Sequence, residues 1–345
     1  MLIARAPVRI SLAGGGTDLE AYYSKFGGAV VSASIDKYFY VLVSHSSSED
    51  IQVSSSDYRT LFRHRMESPP PWDGDLGLPK AIIQHFGIRS GLSIFLASQV
   101  PPGTGLGSSS SVAVALIKAM AALAGRHLTR HEVAELACEI EIDRLGMPIG
   151  KQDQYAAAFG GLNYIEFRSD HVSVERLAVS EEVECQLQRR LLLFFTGLAH
   201  NSAEILQEQR QNMCSQQRPT LGALHLIKDI AIDTRARLLR GDVSAVGDLL
   251  HESWLAKRTL ASGISDPTID RWYDLALSAG ATGGKLVGAG GGGFLLLYCE
   301  PERQEAVSRQ LDGEGLTRMD FDLESSGGTV IMNNLVGWRP VVIHV

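Results

Sequence analysis

Pro101-Pro102-Gly103-Thr104-Gly105-Leu106-Gly107-Ser108-Ser109-Ser110-Ser111 sets three alternating glycines ahead of four hydroxyl residues, which run straight into the apolar, alanine-rich segment Val112 to Leu123. Gly103, Gly105 and Gly107 have no Cβ and tolerate positive φ, so successive backbone N–H groups can turn toward one anion. The helix that follows adds unpaired N–H donors and its positive dipole end. Ser108 to Ser111 can cap that helix, bond a phosphate oxygen or ligate Mg²⁺. A tight turn before a serine-capped core helix is the plainer reading. Neither a Walker loop, G-x-x-x-x-G-K-[S/T], nor a G-x-G-x-x-G fingerprint fits this spacing. Leu92 to Ala97 has strand character, so the local order is strand, glycine loop, helix.

Upstream, Val8, Ile10 and Leu12 alternate with Arg9 and Ser11, which predicts a strand with Arg9 turned from its apolar face. It runs into Ala13-Gly14-Gly15-Gly16-Thr17-Asp18, a stretch nearly bare of side chains that ends in two able to hydrogen-bond a polyol. Leu19 to Phe26 predicts a short helix, and Ala29 to Ile35 and Lys37 to Ser44 predict strands. Ser68 to Gly74 is a proline-stiffened loop.

Downstream, His131 to Leu145 predicts a helix capped by Thr129. At 100° per residue Glu141 falls inside its apolar arc, whereas Glu132, Glu135, Glu139 and Asp143 fall outside. A carboxylate on a buried face calls for a hydrogen-bond, proton or cation partner. An ion pair with Arg144 and ligation of a metal both meet that need. The next loop, Gly146 to Gln154, delivers Asp153 to the start of a helix through Phe159, either as its N-cap or as a base near the phosphate loop.

From Ser169 the composition turns polar, and Asp170 to Glu184 is the candidate crossover between two domains. Helical patterns recur over Ala203 to Gln216, up to Arg240, over Val243 to Leu260 and over Arg271 to Ala279. Gly283 to Gly293 is a second glycine-rich loop carrying Lys285 and closed by the strand Phe294 to Tyr298. Gly288, Gly290 and Gly293 match G-x-G-x-x-G, but a strand follows where a dinucleotide site requires a helix. A helix at Gln304 to Leu311, a strand at Gly327 to Met332 and a β-prone tail to Val345 complete the pattern.

With 345 residues, 45% of them hydrophobic, the chain can bury a core large enough for two domains. A net charge of −7 with interspersed signs argues against a nucleic-acid face. Cys138, Cys185, Cys214 and Cys299 are scattered and form no C-x-x-C pair, as expected of reduced thiols. No apolar run has the length of a membrane span and Met1 to Leu12 lacks a signal-peptide core, so a cytoplasmic protein is expected.

The three glycine-rich stretches, in this order and at these separations, resemble the motifs of the GHMP kinase superfamily across essentially the whole chain. The resemblance implies an α+β fold of two domains. An N-terminal ribosomal-protein-S5-like α/β domain would span residues 1–175 and a C-terminal ferredoxin-like α+β domain residues 176–345, with a cleft between them. It implies ATP and Mg²⁺ as cofactors and a small sugar phosphate as partner, with a homodimer as one possible assembly. By the same resemblance, ATP would lie on Pro102, Gly103, Thr104, Gly105, Leu106, Gly107, Ser108, Ser109 and Ser110. Ser109 and Glu141 would hold Mg²⁺. Asp153 would be the catalytic base, with Arg9 beside the transferred phosphate. Gly15, Gly16, Thr17, Asp18, Gly290 and Gly291 would meet the substrate. Galactokinases carry Glu and His where this chain has Gly15 and Gly16. Leu12 to Asp18 is instead similar to the D-glycero-D-manno-heptose 7-phosphate kinases, where the glycines would leave room for a longer, phosphorylated sugar. That similarity implies phosphorylation of an anomeric hydroxyl and supply of activated heptose to a bacterial surface polysaccharide. Lys37, Arg65, Lys80 and Lys285 are candidates for the distal phosphate. Another sugar, such as fucose or a hexose phosphate, a non-catalytic sugar sensor, and a nicotinamide-dependent oxidoreductase are the competing readings.

Overall fold

The computed structural model describes residues 1–46, 50–56, 60–64, 76–88, 91–198, 202–215 and 218–335. The first half runs β1 (Leu2–Ala13), α1 (Glu20–Phe26), β2 (Gly28–His45), β3 (Ile51–Ser55), β4 (Thr60–His64), α2 (Gly77–His85), β5 (Leu92–Ser98), α3 (Ser108–Leu123) and α4 (Arg130–Cys138). A π-helical turn (Glu139–Arg144), α5 (Gln152–Phe159), β6 (Leu162–Phe167) and β7 (Val172–Arg176) follow. The second half runs α6 (Glu181–Arg190), β8 (Leu191–Phe195), α7 (Ser202–Cys214), α8 (Arg218–Leu239), α9 (Val246–Lys257) and α10 (Pro267–Ala279). It closes with β9 (Ala281–Leu286), β10 (Phe294–Cys299), α11 (Gln304–Gly313), β11 (Thr317–Arg318) and β12 (Thr329–Asn333).

An eight-stranded sheet is ordered β12-β1-β2-β5-β3-β4, with β6 also paired to β2 and β7 to β6. A separate four-stranded sheet is ordered β11-β8-β10-β9. This is the expected two-domain α+β arrangement. The two β-prone runs either side of Asp36 are in fact one strand: the first half of β2 pairs with β6, the second half with β5. Register shifts at Pro7/Val8 and Ser11/Ala13 of β1 let the pair bend without breaking. The span Asp170 to Glu184 is not a bare crossover, since β7 forms a hairpin with β6 and Ser180 caps α6 through the Val183 N–H.

The chain passes to the second sheet at β8, and β12 returns to pair with β1 at Leu2–Arg5. A boundary at 175/176 is therefore a proposal that Thr329–Asn333 crosses. Gly283-Gly284-Lys285 is strand β9 rather than loop. A Cβ on Gly283 would strike the Gly247 carbonyl of α9, and one on Gly284 the Leu296 carbonyl of β10, so glycine is what lets three backbones close up here. α3 is buried along nearly its whole length against β1 and β2, where alanine lets helix and sheet approach. The Ser68 to Gly74 loop and the tail beyond 335 lie outside the described residues.

Candidate active site

Gly103, Gly105 and Gly107 all take positive φ (+71°, +82° and +78°), as the phosphate-loop reading requires. Gly107 occupies the N-cap position of α3, and no side chain caps that helix. The serines do other work. Ser109 Oγ donates to Glu141 Oε1 at 2.8 Å and Ser110 Oγ to Oε2 at 2.9 Å, where Gln154 Nε2 also donates at 2.8 Å. The first-turn N–H groups of α3 are thus left facing a cavity of about 470 Å³ lined by Gly103, Gly105, Gly107 and Ser108–Ser110. Pro102, Thr104 and Leu106 do not line it. Thr104 is folded back on the Pro101 carbonyl, and Leu106 is part of the core.

Glu141 is completely buried, as its place on the helical wheel predicts. The helix is not uniform, however: it turns π-helical at Glu139–Arg144, and Glu141 lies within that turn. Arg144 pairs with Glu139 instead, so the ion-pair reading of Glu141 is not realised. Burial pushes the Glu141 carboxyl up to about 7, against three hydrogen bonds that favour its charged form. A hard cation suits this donor set. A buried carboxylate with one lone-pair site left, beside a hydroxyl at a phosphate loop, supplies the one protein carboxylate that Mg²⁺ commonly takes alongside nucleotide phosphates.

Asp153 is the second residue of α5 rather than its N-cap. Arg9 Nε and Nη2 reach its Oδ1 at 2.7 and 2.5 Å, and Arg9 Nη1 donates to the Gly105 carbonyl at 2.7 Å. The Arg9 backbone N–H bonds Leu106 O at 3.0 Å. One strand therefore fixes both the candidate phosphate loop and the candidate base. A Cβ on Gly107 would stand 3.1 Å from the Asp153 carboxyl, so glycine also sets how closely the two approach.

Gly15, Gly16 and Asp18 also line the cavity. Asp18 accepts the N–H groups of Gly16 (3.0 Å) and Gln152 (3.2 Å). Burial, followed by the Asp153 charge, raises its carboxyl above the usual range. Thr17 departs from expectation. It is fully buried off the cavity, its hydroxyl 2.8 Å from Gly14 O and 3.0 Å from Ala29 O while accepting the Ala29 N–H, so it braces the loop. Gly15 opens on the cavity, but the space above Gly16 is filled: a Cβ there would sit 2.6 Å from Gln209 Nε2. Of the third glycine loop, Gly288 and Ala289 line the cavity. Gly290 packs on Ile264, and Gly291 bonds the Ile264 carbonyl, so neither meets the cavity as expected.

Sequence reasoning missed Lys257, Gln209, Gln152 and Ser11, all of which line the cavity. Lys257, at the end of α9, gave no signal apart from its apolar neighbours. Its ammonium donates to Leu286 O at 3.0 Å and Gly288 O at 2.5 Å, and burial, then the Arg9 charge, brings it down to about 7. Lys285 also lines the cavity, and burial followed by the charges of Lys257 and Arg9 holds it well below its ordinary range. The other distal-phosphate candidates lie elsewhere: Lys37 pairs with Asp36, Lys80 sits over Phe62, and Arg65 is outside the described residues.

The model of the GHMP kinases N terminal domain matches residues 77–161, and that of the GHMP kinases C terminal domain matches residues 234–316. A D-glycero-alpha-D-manno-heptose 7-phosphate kinase of Campylobacter jejuni is 32% identical over 329 residues, covering 94% of this chain and 96% of the relative. The chain belongs to the GHMP kinase family. It is an ATP-dependent sugar kinase. The crystal structure of a D-glycero-D-manno-heptose 1-phosphate kinase from Bacteroides thetaiotaomicron superposes with a TM-score of 0.81 at 31% identity, over 96% of this chain and 99% of the other. Lactococcus lactis galactokinase, complexed with galactose, shares the fold at a TM-score of 0.76 and 18% identity, over 95% and 94% of the two chains. Among the described residues no helix is long and apolar enough to cross a membrane.

Proposed function

We propose that this kinase transfers the γ-phosphoryl group of ATP to the anomeric C1 hydroxyl of D-glycero-D-manno-heptose 7-phosphate. The observation that carries a polyhydroxylated acceptor is a set of buried polar atoms without partners among the described residues: Ser11 Oγ, Gln152 Oε1 and Gln209 Nε2. They belong to residues that line the cavity beside Asp18 and Gly15. Buried groups left unpaired are costly, so a ligand rich in hydroxyls that pairs them binds with a gain an apolar ligand would not have. The heptose itself is supported by two relatives above 30% identity that are named as heptose phosphate kinases. Their names place its phosphate at different positions, C7 and C1.

In this reading the ATP phosphates lie on the N–H groups of the Gly103–Ser108 loop and the start of α3. Ser109 and Glu141 would hold Mg²⁺, which when bound supplies neutralising charge to the β- and γ-phosphates. Asp153 orients the acceptor hydroxyl and takes its proton. Arg9, bonded to both Asp153 and the Gly105 carbonyl, fixes the base against the phosphate loop. Asp18 and Gln209 contact ring hydroxyls. On the same reading the enzyme works in the cytoplasm of a bacterium and feeds activated heptose toward a surface polysaccharide.

The test is a Mg-ATP assay on heptose 7-phosphate, heptose 1-phosphate and free heptose, with fucose, mannose and galactose as controls and ³¹P NMR of the product. An anomeric phosphate signal formed from heptose 7-phosphate is expected. Formation of the same bisphosphate from heptose 1-phosphate alone would place the transfer at C7 and overturn the regiochemistry. Preference for fucose or galactose would overturn the substrate.

A further inference from the structure

Arg9, Lys257 and Lys285 are the cations lining the cavity among the described residues, and they are not equivalent. Arg9 is engaged, with Nε and Nη2 on Asp153 and Nη1 on the Gly105 carbonyl. Lys257 gives two of its three N–H groups to Leu286 O and Gly288 O, which leaves one. Lys285 is 2% exposed, and its ammonium has neither a hydrogen-bond nor an ion-pair partner among the described residues. Two buried lysines that repel each other and Arg9 are an unstable arrangement unless an anion joins them.

Their position selects the anion. Lys257 is tied to Gly288, and the Gly288 backbone abuts Gly105 of the nucleotide loop, so the ammonium sits at the seam between the two glycine loops. That seam adjoins Arg9, which holds both the Gly105 carbonyl and Asp153, where phosphoryl transfer takes place in the proposed reaction; Lys257 also feels the Asp18 charge, so a KM comparison is needed to separate the moving phosphoryl group from the acceptor.

We propose that Lys285 and Lys257 are catalytic residues that donate hydrogen bonds to the equatorial oxygens of the phosphoryl group as it moves. This rests on the kinase reading of the site but not on the identity of the sugar. The acceptor oxygen forms its bond to the γ-phosphorus while the bond from that phosphorus to the β,γ-bridging oxygen breaks. That electron pair leaves with ADP, and the hydroxyl proton goes to Asp153. The lysines exchange no proton. They hold the charge on the three equatorial oxygens, a task for which Arg9, bound to Asp153, is poorly free.

The experiment is steady-state kinetics of Lys285→Met, Lys285→Gln and Lys257→Met on whichever sugar the wild-type enzyme turns over, in phosphorylated and unphosphorylated forms. Each variant is expected to lose about 10²–10³-fold in kcat, with KM for ATP and for sugar changed by less than about threefold. Lys285→Met is expected to melt no lower than wild type, since it removes an unpartnered buried cation, and ethylammonium is expected to restore part of the turnover of Lys285→Ala. A kcat within about threefold of wild type in the folded Lys285 variants overturns the proposal. So does a KM rise confined to the phosphorylated acceptor, which would assign the lysines to the phosphate already on the sugar. Should heptose 7-phosphate prove not to be the substrate, the choice of sugar fails while the kcat comparison still decides the role of the lysines.

Discussion

Two glycine-rich loops of similar composition meet back to back in this enzyme. In Gly103–Gly107 the positive-φ glycines turn backbone donors toward the cavity and lead into α3. In Gly288–Gly293 the glycines are mostly used up on protein: Gly288 lies on Gly105, Gly290 on Ile264 and Gly293 on the Thr104 carbonyl. The first loop lines the cavity with its backbone; the second is a fitted back plate, with Lys285 on the strand before it and Lys257 of α9 bonded to its Gly288 carbonyl. Glycine density therefore marks where a backbone is approached closely, and the following element decides what approaches.

The sharpest test of the first loop as the chemical side is Asp153→Asn, which removes the base while keeping its shape. Turnover should fall by about 10³–10⁴-fold with ATP affinity nearly unchanged, measured by product formation and nucleotide titration. Near wild-type turnover would sink the base assignment.

Gly105→Ala and Gly290→Ala come next, as a matched pair. Both force a side chain into the left-handed region and into backbone, Gly105 at the Val287 carbonyl (2.5 Å) and Gly290 at Ile264 (2.9 Å). Each should cost about 1–3 kcal/mol of stability in a denaturant melt. Only Gly105→Ala should also weaken ATP binding, by about tenfold, because it distorts the donor surface itself. Equal loss of ATP affinity in both would erase the distinction between the loops.

Lys257 gives a pH-dependent test of the back plate. Its folded-state pKa of about 7 lies below the ordinary 10.5, so between those values the unfolded chain binds more protons and stability rises with pH. When melts at neutral and mildly alkaline pH are compared, Lys257→Met should flatten this rise by on the order of 1 kcal/mol for every pH step of one between them. An unchanged slope would mean that Lys257 is charged in the free enzyme. Thr17→Val should lower stability by about 1–2 kcal/mol while leaving KM for the sugar alone. A KM rise at full stability would return Thr17 to the substrate.

The clustering of Glu141, Asp153 and the Gly103–Ser111 loop was legible because these residues contradict their local background. Glu141 interrupts an apolar helical arc, and Gly103 to Ser111 is too costly in backbone freedom to be idle. Gly107 and Asp153 are distant in sequence but carry motif signatures of their own. Lys257 and Gln209 carry none. A lysine ending a helix and a glutamine in a polar helix look solvated, and only the packing of α7 and α9 over the cleft buries them. β9 was hidden for a related reason. Glycines at 283 and 284 depress strand propensity, and what favours them is contact with Gly247 and Leu296 from remote segments. Thr17 shows the converse error, a residue of the right chemistry whose hydroxyl is used up by Gly14 of its own loop and Ala29 of β2.

β12 has a consequence for how the molecule is made. It covers β1 at Leu2–Arg5, although it is encoded more than three hundred residues later. While the ribosome is still adding the second sheet, the strand that carries Arg9 presents a bare edge, the feature through which nascent sheets recruit wrong neighbours. The sheet that carries Arg9 is thus begun before the second sheet is made and sealed only after it.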